Sequence, residues 1–219
     1  MKDIDATLTP ELLLQAYQVG IFPMSEGRDD PDVFWVDPKL RGIFPLGGFR
    51  ISRSLAKTMR RGHFTVTADA AFQEVMRGCA DRDETWINET IFGLYGALFS
   101  HDHAHSIEVW EDGKLVGGVY GVTIGAAFFG ESMFSKSRDA SKVALAFLVD
   151  RLRIGGFSLF DTQFLTQHLA SLGAIEIPRA MFQKKLAEAL TTNADFAAQG
   201  PIPNAQGVIQ RNAQISYRG

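Results

Sequence analysis

The segment that decides the fold reads Leu115-Val-Gly-Gly-Val-Tyr-Gly-Val122, Phe128-Phe-Gly-Glu-Ser-Met-Phe-Ser135, Asp139-Ala-Ser-Lys-Val-Ala-Leu145 and Phe157-Ser-Leu-Phe-Asp-Thr-Gln-Phe164. It reads as two strands, a loop, a helix and a third strand. Asp112-Gly113 just before it is a strong hairpin signal. The first strand carries Leu115, Val116, Val119 and Val122, with glycines at 117, 118 and 121. Glycine inside a strand marks a place where a ligand or another backbone comes close. The second strand, Ile124 to Phe129, leads into Gly130-Glu131-Ser132-Met133-Phe134, one carboxylate among apolar neighbours. Ser137 or Asp139 starts the helix as its N-cap. Leu145, Leu148 and Leu152 form its apolar face at spacings of three and four, and Gly155-Gly156 ends it. In the third strand, alternation puts Phe157, Leu159, Asp161 and Gln163 on one face, and Ser158, Phe160, Thr162 and Phe164 on the other. Asp161 and Gln163 then project side by side, roughly 6–7 Å apart. Buried without partners, such groups are costly. Two readings follow: they satisfy backbone groups at a loop crossing, or they line a substrate groove.

Working outward, 46% hydrophobic and 21% charged residues in 219 are ordinary globular proportions, enough to bury a core. The single cysteine, Cys79, excludes internal disulfides and any multi-cysteine zinc site, and it fits a reducing compartment. Met1 to Ala6 does not read as a signal peptide, and no apolar run approaches a membrane span, so a cytoplasmic protein is expected. A net charge of -3 argues against wholesale coating of nucleic acid but leaves room for a local basic patch.

Thr9-Pro10-Glu11 opens a helix with Leu12, Leu13, Ala16 and Val19 inward and Gly20 as its stop. Ile21 to Met24 leads into an acidic loop, Glu26 to Asp32. Phe34-Trp35 and Ile43-Phe44 are short strands broken by Pro38 and Pro45. Ser52 to Arg61 is a short helix that aligns Arg53, Lys57, Arg60 and Arg61 on one face. With no acid between Arg50 and Thr67, a phosphate-binding face competes with a plain solvated one. His63 to Ala68 is a strand. Asp69 caps a helix with Phe72, Val75, Met76 and Cys79 inward. Asn88 caps the next, with Ile91, Leu94, Tyr95 and Leu98 inward, and Trp86 sits in the loop ahead of it. His101, His103 and His105 lack the companions of a metal site. Thr166 to Leu172 and Pro178 to Leu190 are further helices, the latter with Met181, Phe182, Leu186 and Leu190 inward. From Thr191 the composition turns to Ala, Asn, Gln, Pro and Gly, an extended tail. This order of elements is an α/β arrangement with a mixed sheet and helices on both faces. No long exposed apolar stripe is evident, so a monomer is expected.

Gly20-Ile-Phe-Pro23, Phe49-Arg-Ile-Ser-Arg-Ser-Leu55, Thr85-Trp-Ile87, Ala104-His-Ser-Ile-Glu-Val-Trp110 and Gly117-Gly-Val-Tyr-Gly121 recur in one known family. So do Gly130-Glu-Ser-Met-Phe-Ser135, Ala140-Ser-Lys142, Asp161-Thr-Gln163 and Ser171-Leu-Gly-Ala174. In this order and spacing, from about Thr9 to Leu190, the chain closely resembles the bacterial leucyl/phenylalanyl-tRNA–protein transferases. Met24 stands where other members carry an aromatic. The resemblance implies a small N-terminal α+β unit (1–48) docked on a GNAT-like acyltransferase domain (49–190), followed by the tail (191–219). It implies transfer of Leu or Phe, with Met as a further donor, from aminoacyl-tRNA to the α-amine of proteins beginning with Arg or Lys. The product is marked for N-end-rule degradation. The ester is already activated, so no metal, ATP or redox cofactor is implied.

The same resemblance assigns roles. Asp161 with Gln163 handles the proton, and Glu131 is the alternative base or holds the donor's amine or ribose. Trp86, Ser132, Val119, Phe128, Met133 and Leu145 bind substrate, the last four as an apolar pocket, although Leu145 reads equally well as core. Arg53, Lys57, Arg60 and Arg61 contact the tRNA backbone. Two other readings stay open. A thioester acyltransferase would need a glycine-rich phosphate cradle, and Ser135 to Lys142 contains no glycine. A non-catalytic module binding tRNA ends or basic N-termini would leave Asp161 beside Gln163 unexplained.

Overall fold

The computed structural model describes residues 8–216; the leader reading of residues 1–6 and the last three residues of the tail lie outside it. Strands β4 (Phe64–Ala68), β5 (Ala104–Glu111), β6 (Lys114–Ile124) and β7 (Ala127–Ser135) run antiparallel in sequence order. Asp112 and Gly113 both take positive φ, 50° and 74°, the primed turn that matches strand twist. After β7 the chain crosses through α5 (Ala140–Ile154) and returns as β8 (Leu159–Gln163), parallel to β7. The sheet is completed by β3 (Leu40–Phe44) and β9 (Ile175–Pro178), in the order β4-β5-β6-β7-β8-β3-β9. β1 (Phe22–Met24) and β2 (Phe34–Val36) form a separate two-stranded ribbon.

Helices cover both faces. On one lie α2 (Arg53–Arg60), α5 and α8 (Ala205–Ser216); on the other lie α1 (Pro10–Gln18), α3 (Phe72–Ala80), α4 (Glu89–Ser100) and α7 (Arg179–Leu190). The glycines of β6 make this double layer possible. A Cβ on Gly117 would sit 2.6 Å from Ala140 Cβ at the start of α5, and one on Gly118 would sit 2.9 Å from Val75 Cγ2 on α3. The close approach expected at these glycines is therefore to helices on opposite faces. Side-chain caps fall where expected at Thr9 and Asn88, and Ser52 and Thr166, expected as the first residues of their helices, cap α2 and α6 (Gln167–Ser171).

Several expectations change. Leu40–Phe44 falls within the first 48 residues yet is an internal strand of the large sheet, so the sheet draws on both sides of residue 48. β9 and α8 went unread: β9 ends in a proline, and α8 lies in a stretch whose composition suggested an extended tail. Asp69 does not cap α3. Its carboxylate accepts from Ser106 N at 2.7 Å and contacts His105 Nδ1 at 2.9 Å, tying the end of β4 to β5. Asp139 takes φ 69° and pairs with Lys142 rather than capping α5, while Ser135 Oγ accepts from Ser141 N. Met181 is exposed; Phe182, Leu186 and Ala189 face inward on α7. No described helix is long and apolar enough to cross a membrane.

One ion pair joins β3 to β8 inside this core. Arg41 Nε and Nη2 donate to Asp161 Oδ1 and Oδ2 at 2.8 and 2.7 Å, and Nη1 donates to Gly20 O at 2.9 Å. The two side chains are 2% and 0% exposed. The guanidinium lies over the rings of Phe22 and Phe182. Removing one partner strands a buried charge, so Arg41→Ala should lower the unfolding free energy by about 3–5 kcal/mol in urea titrations. Arg77→Ala, which loses an exposed i,i+3 pair with Glu74, should cost at most about 1 kcal/mol. Equal losses in the two variants would contradict this ranking.

Candidate active site

β7 and β8 pair over only three positions, Ala127↔Leu159, Phe128↔Phe160 and Phe129↔Asp161. Beyond them β7 continues against β6 as far as Ser135, while β8 turns away at Gln163, whose φ is 61°. The parting strands leave a cavity of about 270 Å³ lined by Gly130, Glu131, Ser132 and Met133 of β7, and by Phe160, Thr162, Gln163 and Phe164 of and just after β8. Val119 and Leu145 add apolar wall, as do Leu169 and Met24; Arg82, Trp86 and Thr166 complete the lining. A larger open depression of about 670 Å³ lies beside α3 and α4. It holds no buried ionisable group, so the smaller cavity is the better catalytic candidate.

Glu131 is the chemical centre of the cavity. Its Oε1 accepts from Tyr17 OH at 2.7 Å; its Oε2 accepts from Tyr95 OH at 2.8 Å and Gln163 Nε2 at 3.0 Å. No described cation pairs with it. Burial pushes its carboxyl up to about 7; the hydrogen bonds from Tyr17, Tyr95 and Gln163 pull partway back, and the charge of Asp161 adds to the rise. Burial, reinforced by the charge of Glu131, also holds the Tyr17 and Tyr95 phenols well above their usual range, so both stay protonated and donate.

The phenol oxygens lie 2.5 Å apart. Tyr17, Tyr95 and Glu131 thus form a triangle of oxygen pairs, each at hydrogen-bond distance. With Glu131 ionised, the two phenolic protons both point at the carboxylate, and the two phenol oxygens face each other without a proton. With Glu131 protonated, three protons close the ring: Glu131 to Tyr17, Tyr17 to Tyr95, Tyr95 back to Glu131. Either pattern satisfies both phenolic donors, so the rise at Glu131 comes from burial and the charge of Asp161, against the pull of its hydrogen bonds.

Asp161 does not project beside Gln163 into the groove. It is fully buried, both its oxygens are held by Arg41, and Oδ1 also accepts from Gln163 N at 2.8 Å. That last bond holds the left-handed turn at Gln163. Alternation fails there, and the Gln163 amide swings to Glu131 instead. Asp161 accepts three hydrogen bonds inside the fold and is not among the residues that line the cavity.

Of the other anticipated residues, Trp86, Val119, Ser132, Met133 and Leu145 line the cavity. Phe128 does not; it is 1% exposed and lies beneath, edge-on to Phe160 and stacked on Phe196. Arg53, Lys57, Arg60 and Arg61 are exposed, and Arg60 Nε donates to Gln206 of α8 at 2.9 Å. Arg82, Phe160, Thr162, Phe164, Thr166 and Leu169 were not anticipated as lining. The alternation of β8 had already placed Phe160, Thr162 and Phe164 on one face, so that signal was present. Arg82, one charge in a polar loop, carried none.

The carboxyl of Glu131 is neutral at low pH in both folded and unfolded chains. Its folded value of about 7 lies above the unfolded one, so stability is lost as pH rises from the unfolded value through the folded one. Glu131→Gln removes this loss. Between pH 4 and pH 8 the variant should gain on wild type by on the order of 3 kcal/mol in urea titrations. Parallel stability curves would contradict the shift.

A family model described as "Leucyl/phenylalanyl-tRNA protein transferase" matches residues 43–187, and one described as its N-terminal domain matches residues 6–39. The leucyl/phenylalanyl-tRNA–protein transferase of Cereibacter sphaeroides is 65% identical, over 95% of this chain and 98% of that one. Those of Ruegeria pomeroyi and Roseobacter denitrificans are 63% and 62% identical, over 96% and 95% of this chain and 100% and 99% of theirs. Among solved structures, the crystal structure of FemX matches at a TM-score of 0.48 with 11% identity, over 80% of this chain and 70% of that one. With both segments matched in order and close relatives aligned almost end to end, the chain belongs to the leucyl/phenylalanyl-tRNA–protein transferase family.

Proposed function

We propose that the cavity between β7 and β8 seats the Leu or Phe ester of a charged tRNA, and that Glu131 takes the proton of the attacking amine. The enzyme is an aminoacyltransferase that moves Leu or Phe from aminoacyl-tRNA to the α-amine of proteins beginning with Arg or Lys. The product enters N-end-rule degradation. We extend the donor set to Met and place the reaction in the cytoplasm, where charged tRNA is made. We also read the parallel β7–β8 pair, parted around its crossover helix, as a GNAT-like layout.

The observation that carries the proposal is a buried carboxyl at the cavity with three neutral donors and no cation. The amine nitrogen attacks the ester carbonyl, and the new C–N bond forms. Its proton passes to Glu131. The C–O bond to the ribose then breaks, and Glu131 returns the proton to the departing 3′ oxygen. An α-amine titrates near about 7.7–8.0, close to the value of about 7 that burial gives Glu131. Such a match makes both proton transfers shallow. Gln163 holds the carboxyl toward the cavity. The apolar wall of Val119, Met133, Leu145, Phe160 and Leu169 suits an unbranched or γ-branched donor side chain; Met133 adapts to both Leu and Phe. Ester and amine held together in this space supply much of the rate by proximity. The exposed basic face of α2 suits contact with the tRNA backbone, which positions without reading sequence.

Transfer of leucine from charged tRNA to a protein with N-terminal Arg should rise with pH through a midpoint near 7, following Glu131. Glu131→Gln should lower turnover by roughly 10²–10⁴-fold and abolish that inflection, with tRNA binding retained. Wild-type turnover in this variant would contradict the role of Glu131. Replacing Arg60 and Arg61 with Ala should raise the KM for aminoacyl-tRNA. The slope of log affinity against log salt should flatten by about one for each phosphate no longer neutralised. An unchanged slope would return α2 to a solvated face.

A further inference from the structure

Arg82 lies in the loop between α3 and α4 and is exposed. Exposed arginines ordinarily sample many rotamers, but this one is pinned. Its Nε donates to Cys79 O at 2.8 Å, and its Nη2 donates to Ser132 Oγ at 3.0 Å and Met133 O at 2.9 Å. The backbone is held as well: Arg28 Nη2 donates to Ala80 O at 2.7 Å and to Arg82 O at 3.2 Å. All the partners of the guanidinium are neutral, and no described carboxylate forms an ion pair with it. Nearby Lys136 is already paired with Asp81 at 3.1 Å. A full positive charge is thus fixed in place without an ion-pair partner among the described residues, while Asp81 in the adjoining cleft is taken up by Lys136.

Its position gives that charge a use. Arg82 lines the cavity with Glu131 and Ser132. It also lines a second open cleft, of about 310 Å³, with Met133, Phe134, Ser135 and Lys136. Arg82 and Met133 line both spaces, so a chain reaching the cavity through the cleft passes Arg82. Three of the five guanidinium N–H donors are spent on these acceptors; the two on Nη1 have no described acceptor, and with the fixed charge they suit a phosphate oxygen. The acceptor's cationic N-terminus is repelled by the same charge.

We infer that Arg82 binds the 5′ phosphate of the donor tRNA's terminal nucleotide and so sets the ester over Glu131. This rests on the donor reading of the cavity given above. Were Arg82 only a staple for its loop, donor binding would be indifferent to that phosphate.

The test uses two unreactive mimics of the charged end, adenosine carrying leucine through a 3′ amide, with and without a 5′ phosphate. Both compete with leucyl-tRNA in the transfer assay. In wild type the phosphorylated mimic should inhibit roughly tenfold or more better. Arg82→Gln should erase this preference, read as the ratio of the two mimics' inhibition constants within the same variant. Arg82→Lys, which keeps the charge but not the fork, should retain part of the preference. A wild type indifferent to the phosphate, or a preference intact in Arg82→Gln, would overturn the assignment. Leucine transfer that neither mimic inhibits would instead overturn the donor reading of the cavity, and this inference with it.

Discussion

The site depends on the buried pair of Arg41 and Asp161. Burying two charges costs several kcal/mol per ion, repaid only by good geometry and further hydrogen bonds. Here the geometry is bidentate, and the remaining donor of Arg41 caps the carbonyl of Gly20 just after α1. One arginine therefore fixes the end of α1, β3 and β8 to one another. Tyr17 comes from α1 and Gln163 from the end of β8; both reach Glu131 because of this anchoring. The pair also separates two carboxylates by environment. Asp161 is matched by a cation, whereas Glu131 sits among neutral donors and is pushed up to about 7. That contrast is why the proposal gives the proton to Glu131 and not to Asp161.

The parting of β7 and β8 turns this anchoring into a cavity. A parallel pair needs a crossover, and α5 supplies it, pressed onto the sheet where Gly117 leaves room. The same departure of strands opens backbone and side chains to substrate without an exposed sheet edge. The basic helix α2 lies on the α5 face, and the loop bearing Arg82 follows α3 on the other. The cavity lies between these layers, with wall from α5 and from the α3–α4 loop.

Much of this was legible in the chain. The Asp112-Gly113 turn, the caps at Thr9 and Asn88, and the stop at Gly155-Gly156 are local signals, and local signals survive folding. The apolar spacing of α3 and α4 identified their buried faces for the same reason, whereas α5, expected to bury one face, is buried nearly all round. What failed was non-local. Asp161 looked like a groove residue because alternation assumes a regular strand; the left-handed turn at Gln163, held by Asp161 itself, breaks that regularity. Arg41 drew no attention because its partner is 120 residues away. Tyr95 reads as core and Tyr17 falls outside the expected inward set of its helix; nothing in their spacing announced that their hydroxyls meet on one carboxylate. β3 looked like part of a separate N-terminal unit until its pairing with β8 and β9 was seen. α8 was hidden by a composition rich in Ala, Gln and Asn. It is anchored by Val208 and Ile209 in the core and by polar contacts: Arg211 pairs with Asp150, and Arg153 Nη1 donates to Asn212 Oδ1 at 3.2 Å.

The most direct test of the account is the ionisation of Glu131 itself. The enzyme would be labelled with carbon-13 at the glutamate carboxyl, and the Glu131 resonance identified by its absence in Glu131→Gln. Its chemical shift would then be followed from pH 4 to pH 9. A midpoint near 7 is predicted, from burial and the charge of Asp161 set against the hydrogen bonds of Tyr17, Tyr95 and Gln163. A midpoint at the ordinary glutamate value, about 4.3, would mean that the carboxyl is fully ionised at neutral pH, and the proton would have to be handled elsewhere.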